Sequence, residues 1–279
     1  MLGQRVITAV LLLALLLPAL FAASPLPFAL LTLVLISAAG WEWARLNGVS
    51  ASLPALASGA LLAVLCGASL LRLPELGAVG GLWLVGAGVW LLGGAMVLSR
   101  GPKAWPALPA GLRWLLGMLL LWLAWLALAQ ARTVGVNFLL SVLCVVWAAD
   151  IAAYFSGRAF GRRKLAPSIS PGKSWEGVYG GVVGVLLLAV AWLWLESQFA
   201  LDSPSLFLLL RQRLGVSGLL LAALLLTALS VIGDLFESLV KRAAGVKDSS
   251  KLLPGHGGVL DRVDALLPVL PAALALISL

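Results

Sequence analysis

The sequence predicts an all-α, polytopic integral membrane protein with about nine transmembrane helices and a cytoplasmic N-terminus. Three observations predict it. Hydrophobic residues fill 62% of the 279 positions and charged residues only 11%, at a mean hydropathy of +1.09. Apolar runs of about 18 residues recur along the chain, each broken by charge, Pro or Gly. With the N-terminus inside, 15 of the 19 Lys and Arg fall in cytoplasmic segments, and only Arg72, Arg132, Arg211 and Arg213 lie on the other side. Merging or losing one span would scramble that split.

The expected spans, in order, are 6–21, 26–39, 53–71, 77–98, 112–129, 134–149, 178–195, 214–233 and 263–279. The first, after Arg5, imitates a secretory signal with Ala22-Ala23-Ser24 as a poor cleavage site, but it reads as a retained span because further spans follow directly. The first two can form a tight hairpin around Ser24-Pro25. The sixth span closes on Asp150, the eighth closes on Asp234, and the ninth opens on Asp264. Between the seventh and eighth, the more polar stretch 196–213 reads as an external loop with an interfacial helix. The organisation is a run of scaffold helices over 1–130, then a catalytic membrane region over 131–279 with cytoplasmic polar loops at 150–176 and 237–262.

Net charge is +8, yet the basic residues sit in short loops between spans, which disfavours nucleic acid and favours anionic headgroups or a phosphorylated substrate. Cys66 and Cys144 both lie in apolar runs without paired spacing, so neither a disulfide nor a metal site is indicated.

Polar chemistry is concentrated in 238–264, which holds five Lys/Arg, three Asp, the only His and four Gly in 27 residues, and in 150–176. Asp234, Glu237 and Lys241 share one helical face by spacing, as do Asp261 and Asp264. Carboxylates gathered at a membrane edge, with no Cys or His ligand nearby, suit a hard cation, Mg²⁺ above all. The alternative for each alone is an interfacial ion pair. The turn 253–258, Leu-Pro-Gly-His-Gly-Gly, allows close backbone approach and an anion-binding concavity, flanked by Lys241, Arg242, Lys247 and Lys251. His256 either touches a phosphate or base or stabilises the turn.

The segment 168–174 contains Gly172-Lys173-Ser174 but is no P-loop, because Pro167 stands where the pattern needs Gly and no strand is expected before it. It remains a polar loop carrying Lys173 into a helix that begins near Trp175, whose N-terminal amides can help hold an anion.

The run 238–264, with Ser238, Lys241-Arg242, Lys247-Asp248, Ser250, Leu253-Pro254, His256-Gly257-Gly258 and Asp261-Arg262-Val263-Asp264, resembles the signature of the CTP:phosphatidate cytidylyltransferases, the CDP-diacylglycerol synthases. The run 147–177 is similar to the family's other polar segment, with Ile151 and Ala152 after Asp150 where the family usually has a small hydroxyl residue and Gly. Residues 1–130 resemble the family only as a stack of apolar spans. The resemblance implies cytidylyl transfer from CTP to phosphatidate with Mg²⁺, in phospholipid biosynthesis at the cytoplasmic side of the inner membrane. It implies Asp234, Asp261 and Asp264 as metal ligands and, with Lys241, as the catalytic set. Asp150 and Asp248 follow as further ligands. Lys173, Lys241, Arg242, Lys247 and Arg262 would hold phosphates, and His256, Gly257 and Gly258 would line the CTP side opposite Ser170. A homodimer is compatible with this reading. The competing readings are a transporter of an anionic solute, which would place its binding groups near the midplane of inverted repeats, and another headgroup transferase with a different Asp-rich motif.

Overall fold

The computed structural model describes residues 2–73, 75 and 80–279. Its described helices are α1 (Leu2–Leu20), α2 (Leu26–Leu46), α3 (Ser52–Leu70), α4 (Gly80–Arg100), α5 (Ala110–Val134), α6 (Val136–Phe160), α7 (Trp175–Gln198), α8 (Leu206–Ala243), the single turn α9 (Leu260–Val263) and α10 (Leu266–Ser278). A short 3₁₀ segment, Pro102–Ala107, follows α4. Among the described residues seven helices, α2 to α8, are long and apolar enough to cross a membrane, against the nine spans expected. The apolar stretch Val6–Phe21, which begins in α1, and the 13-residue α10 are shorter.

Successive helices run alternately between two polar ends of the bundle. At the first end Thr8 of α1 donates to the Pro254 carbonyl at 3.0 Å. At the second end Arg132, last turn of α5, donates to the Leu20 and Ala22 carbonyls at 2.9 and 2.6 Å, a cation on the negative end of α1. Asp202 accepts from the Val136 and Asn137 amides that open α6, and Glu196 accepts from Asn137 and Ser205.

The structure differs from the sequence expectations in four places. The helix expected to close at Asp150 runs on to Phe160, because no Pro or Gly interrupts 150–156; Asp150 therefore lies on a helix face. The stretch expected as an external loop with an interfacial helix does become helical at Leu206, but Leu206, Phe207 and Leu210 are in the core rather than at the interface; Gly215, at φ 70°, breaks the helix and turns it into the long segment that ends at Ala243. The last span is split at Asp264-Ala265. The polar segment contains a two-stranded antiparallel hairpin, β1 (Lys164–Ala166) and β2 (Ser170–Ser174), where a loop was expected. Sequence gave no sign of it, since Pro171, Gly172 and Lys173 are poor strand formers. The hairpin is held from outside: Glu176 in the first turn of α7 accepts from the Arg162 and Arg163 amides, and Ser174 caps α7 by accepting from the Gly177 amide at 3.2 Å.

Among the described residues α6 and α7 make the most extensive helix pairing. Gly177, Gly181 and Gly184 of α7 lie against the backbone of α6, so that a Cβ on Gly177 would stand 3.0 Å from the Ala153 carbonyl and one on Gly184 2.5 Å from the Ala152 Cβ. In lipid, close backbone packing replaces the hydrophobic drive between helices. Beneath the first end, Phe236 of α8 is stacked on Trp43 of α2 and met edge-on by Trp90 and Trp105, which fixes the adjoining Glu42 and Glu237 in height.

Gly184→Leu should cost about 1–3 kcal/mol by overpacking and lower the thermal midpoint of the detergent-purified protein. Gly111→Leu, where nothing lies within 4 Å of the added Cβ, should leave the midpoint unchanged.

Candidate active site

At the first polar end, α2, α6, α8, the hairpin and the coil between α8 and α9 converge. The coil spans 244–259 and has almost no regular structure of its own. It begins a type II turn at Leu253, with Pro254 and then Gly255 at φ 78°, closed by the His256 amide on the Leu253 carbonyl at 2.8 Å. Several of its donors converge on one side chain of α2. The Glu42 carboxylate, fully buried, accepts from the Ser250 hydroxyl at 2.6 Å, the Ser249 hydroxyl at 3.1 Å, and the Val259 and Leu260 amides at 2.9 and 2.8 Å.

Ser249 links that clamp to the next layer. Its amide donates to Asp261 Oδ2 at 2.9 Å, its single hydroxyl proton is shared between Glu42 and that oxygen, 3.0 Å away, and the Gly258 amide donates to the same oxygen at 2.7 Å. The other Asp261 oxygen meets the Lys241 ammonium at 2.5 Å, and Lys241 also meets Glu237 Oε2 at 2.5 Å. Burial pushes the Asp261 carboxyl up, but Lys241 and the two amides outweigh it and hold it below the ordinary carboxylate range. Gly257, at φ 85°, passes Asp261 so closely that a Cβ there would stand 2.6 Å from Oδ2.

Beside this layer lies a groove of about 450 Å³ between α6, α7, α8 and the hairpin. Its polar head carries Asp150, Tyr154, Arg158, Ser170, Lys173 and Asp234. Below Asp150 and Asp234 its walls are apolar, with Ala149, Gly181 and Val231 leading down to Thr227, roughly 10 Å along α8 from Asp234 at 1.5 Å per residue. Lys173, on β2, is ion-paired with Asp234. Asp234 lies close enough to both Asp150 and Asp264 for their charges to repel, and Lys173 is close enough to attract both. Gly233 permits this, since its backbone packs on the Asp264 carbonyl.

The structure thus gathers Asp150, Asp234, Lys173 and Ser170 at the groove, with Asp264 near Asp234 and Lys173, and with Asp261 and Lys241 in the adjoining network through Glu237. Gly258 contributes its amide to Asp261. Among the described residues the buried His256 Nδ1 has no hydrogen-bond partner. Arg242 donates to the Ile169 and Val246 carbonyls at 3.4 and 3.2 Å, tying hairpin to coil. Arg262 is exposed. Lys247 and Asp248 line a different cavity on the outer side of the coil, with Arg45 and Lys251. Sequence reasoning passed over Glu42, Tyr154 and Arg158. Glu42 did carry a signal: an acidic residue within an otherwise apolar helix needs buried donors.

The cytidylyltransferase family model matches residues 3–279. The phosphatidate cytidylyltransferase of Pseudomonas aeruginosa is 42% identical over 284 aligned residues, covering 99% of this chain and 97% of that protein. That of Haemophilus influenzae is 49% identical over 137 residues, 49% of this chain and 44% of the relative. That of Brucella suis is 47% identical over 149 residues, 52% of this chain and 47% of the relative. The similarity therefore includes residues 1–130, where Glu42 lies.

Glu42→Gln should place an amide NH₂ opposite donors. With about 1–3 kcal/mol lost for each buried donor left unmatched, it should cut turnover roughly tenfold or more and expose the coil to limited proteolysis while α5 to α8 stay protected. Equal activity and protection would remove Glu42 from this role.

Proposed function

This chain belongs to the cytidylyltransferase family, and on that premise we propose that it transfers the cytidylyl group of CTP to phosphatidate, giving CDP-diacylglycerol and diphosphate at the cytoplasmic face of the inner membrane. It is a nucleotidyltransferase and a multi-pass membrane protein. The observation that carries the substrate reading is the groove: an apolar shaft opening among helices, headed by Lys173, Arg158 and Ser170. That shape suits a lipid whose chains remain in hydrocarbon while its phosphate meets cations.

The attacking oxygen of a phosphate monoester is already anionic, so the reaction asks for little general-base help. The new bond joins that oxygen to the α-phosphorus of CTP, and the bond from the α-phosphorus to the bridging oxygen breaks. The barrier lies in bringing two polyanions together and releasing diphosphate, which positioned positive charge addresses. Lys173 supports the lipid phosphate from the groove side. Lys241 and Arg242 stand toward the coil, where the turn at Gly257 and His256 suits the nucleotide.

Magnesium is consistent with the donor set. Asp150, Asp234, Glu237, Asp261 and Asp264 are five carboxylates facing only two lysines, Lys173 and Lys241, in a half-buried place. All are hard oxygen donors. Among the described residues no three acidic, His or Cys side chains already converge on one point, and Lys173 stands among Asp150, Asp234 and Asp264, so a cation held by those three requires Lys173 to swing to a phosphate. Bound there, a divalent ion would supply charge neutralisation for the triphosphate. Asp261, saturated by Lys241 and three coil donors, positions the coil and Lys241 in this reading.

Purified protein given phosphatidate, CTP and Mg²⁺ should form liponucleotide, and EDTA should stop it reversibly. Asp264→Asn and Lys173→Met should each lower turnover at least 100-fold while detergent elution stays that of the parent. Solute uptake into vesicles without liponucleotide would contradict the proposal.

A further inference from the structure

Outside the groove assigned to catalysis, the coil 244–252 has a second face. It borders a cavity of about 750 Å³ whose polar lining includes Arg45 at the end of α2, and Lys247, Asp248, Ser250 and Lys251 of the coil. Among the described residues none of Arg45, Lys247 and Lys251 has a carboxylate within 4 Å, in contrast to Lys173, Lys241 and Arg163, which are all paired. Three cations with one carboxylate, Asp248, leave the cavity with surplus positive charge.

A second, apolar groove of about 480 Å³ adjoins it between α2 and α3, and Trp41 and Leu252 line both. The groove exists because α3 presents Gly59 and Ala60 toward Ser37 and Ala38; a Cβ on Gly59 would stand 2.7 Å from the Ser37 carbonyl. Its floor follows α3 from Ser52 to Ala60, about 12 Å of helix. Arg45 lies over the Trp41 ring at 4.9 Å, an aromatic–cation pair of the kind found where chain region meets headgroup region.

We propose that these two cavities form one binding site for an anionic glycerophospholipid, distinct from the catalytic groove. The acyl chain lies along Leu56 and Ala60, Trp41 marks the glycerol level, and the headgroup phosphate is held by Arg45, Lys247 and Lys251. Charge complementarity selects an anionic headgroup over a zwitterionic one, and the joined apolar groove selects a lipid over a free anion. Because Ser249 and Ser250 of the same coil bond Glu42 and Asp261, the bound lipid also lies against the segment that positions the active site.

Native mass spectrometry of the detergent-purified protein tests this without requiring turnover, so its failure leaves the catalytic proposal untouched. The parent, mixed with equal amounts of palmitoyl-oleoyl phosphatidylglycerol and phosphatidylcholine, should retain the phosphatidylglycerol at least tenfold more. The exposed double substitution Arg45→Gln with Lys251→Gln, and separately Ala60→Trp, should each lower that retention at least fivefold. Lys173→Met should leave it unchanged, and millimolar inorganic phosphate should not displace it. Equal retention of both lipids, retention unaffected by either substitution, loss only with Lys173→Met, or displacement by phosphate would each overturn the proposal.

Discussion

One buried carboxylate holds the active end of this molecule together. Glu42, from a helix near the N-terminus, accepts hydrogen bonds from three residues of a coil more than 200 residues later and from the Leu260 amide that opens α9. That coil has few backbone bonds of its own, and a buried carboxylate is tolerable only when its lone pairs are filled. The two needs meet each other. Through Ser249 the same clamp sets Asp261, and through Asp261 it sets Lys241 and Glu237 on α8. A coil of this length would otherwise sample many conformations, at about 1–2 kcal/mol per ordered residue.

The second constraint is steric. Glycines on α7 bring its backbone onto α6, and this places the hairpin, and with it Lys173, over the ends of α6 and α8. The groove below is what remains between three helices whose small residues permit close approach at one height and leave space at another. An amphiphile then meets hydrocarbon walls and a charged head in one continuous surface, so chemistry on its headgroup needs no extraction from the bilayer. The outer face of the coil repeats the pairing of apolar groove and basic pocket on α2 and α3.

Much of this was legible in the sequence. Hydropathy and the distribution of Lys and Arg reach the helical membrane class, and the density of charge in 150–176 and 238–264 marks the two segments that the structure brings together. Spacing placed Asp234, Glu237 and Lys241 on one face of a helix, as they are. What could not be read was tertiary. The hairpin is stabilised by Glu176 and by packing rather than by strand propensity. The division of the acidic residues, with Asp261 in the coil network and Asp150, Asp234 and Asp264 near Lys173, depends on contacts between elements far apart in the chain. Glu42 offered a hint in its isolation, but its partners lie in a segment whose fold is invisible to periodicity.

The most direct measurement is hydrogen exchange, read by mass spectrometry, across residues 249–262 of the unmodified protein in detergent. The Val259 and Leu260 amides, bound to a buried carboxylate, should exchange as slowly as the core of α8. Exchange there as fast as in the exposed stretch 199–202 would mean that Glu42 does not hold the coil, and the account of the site built upon it would fall.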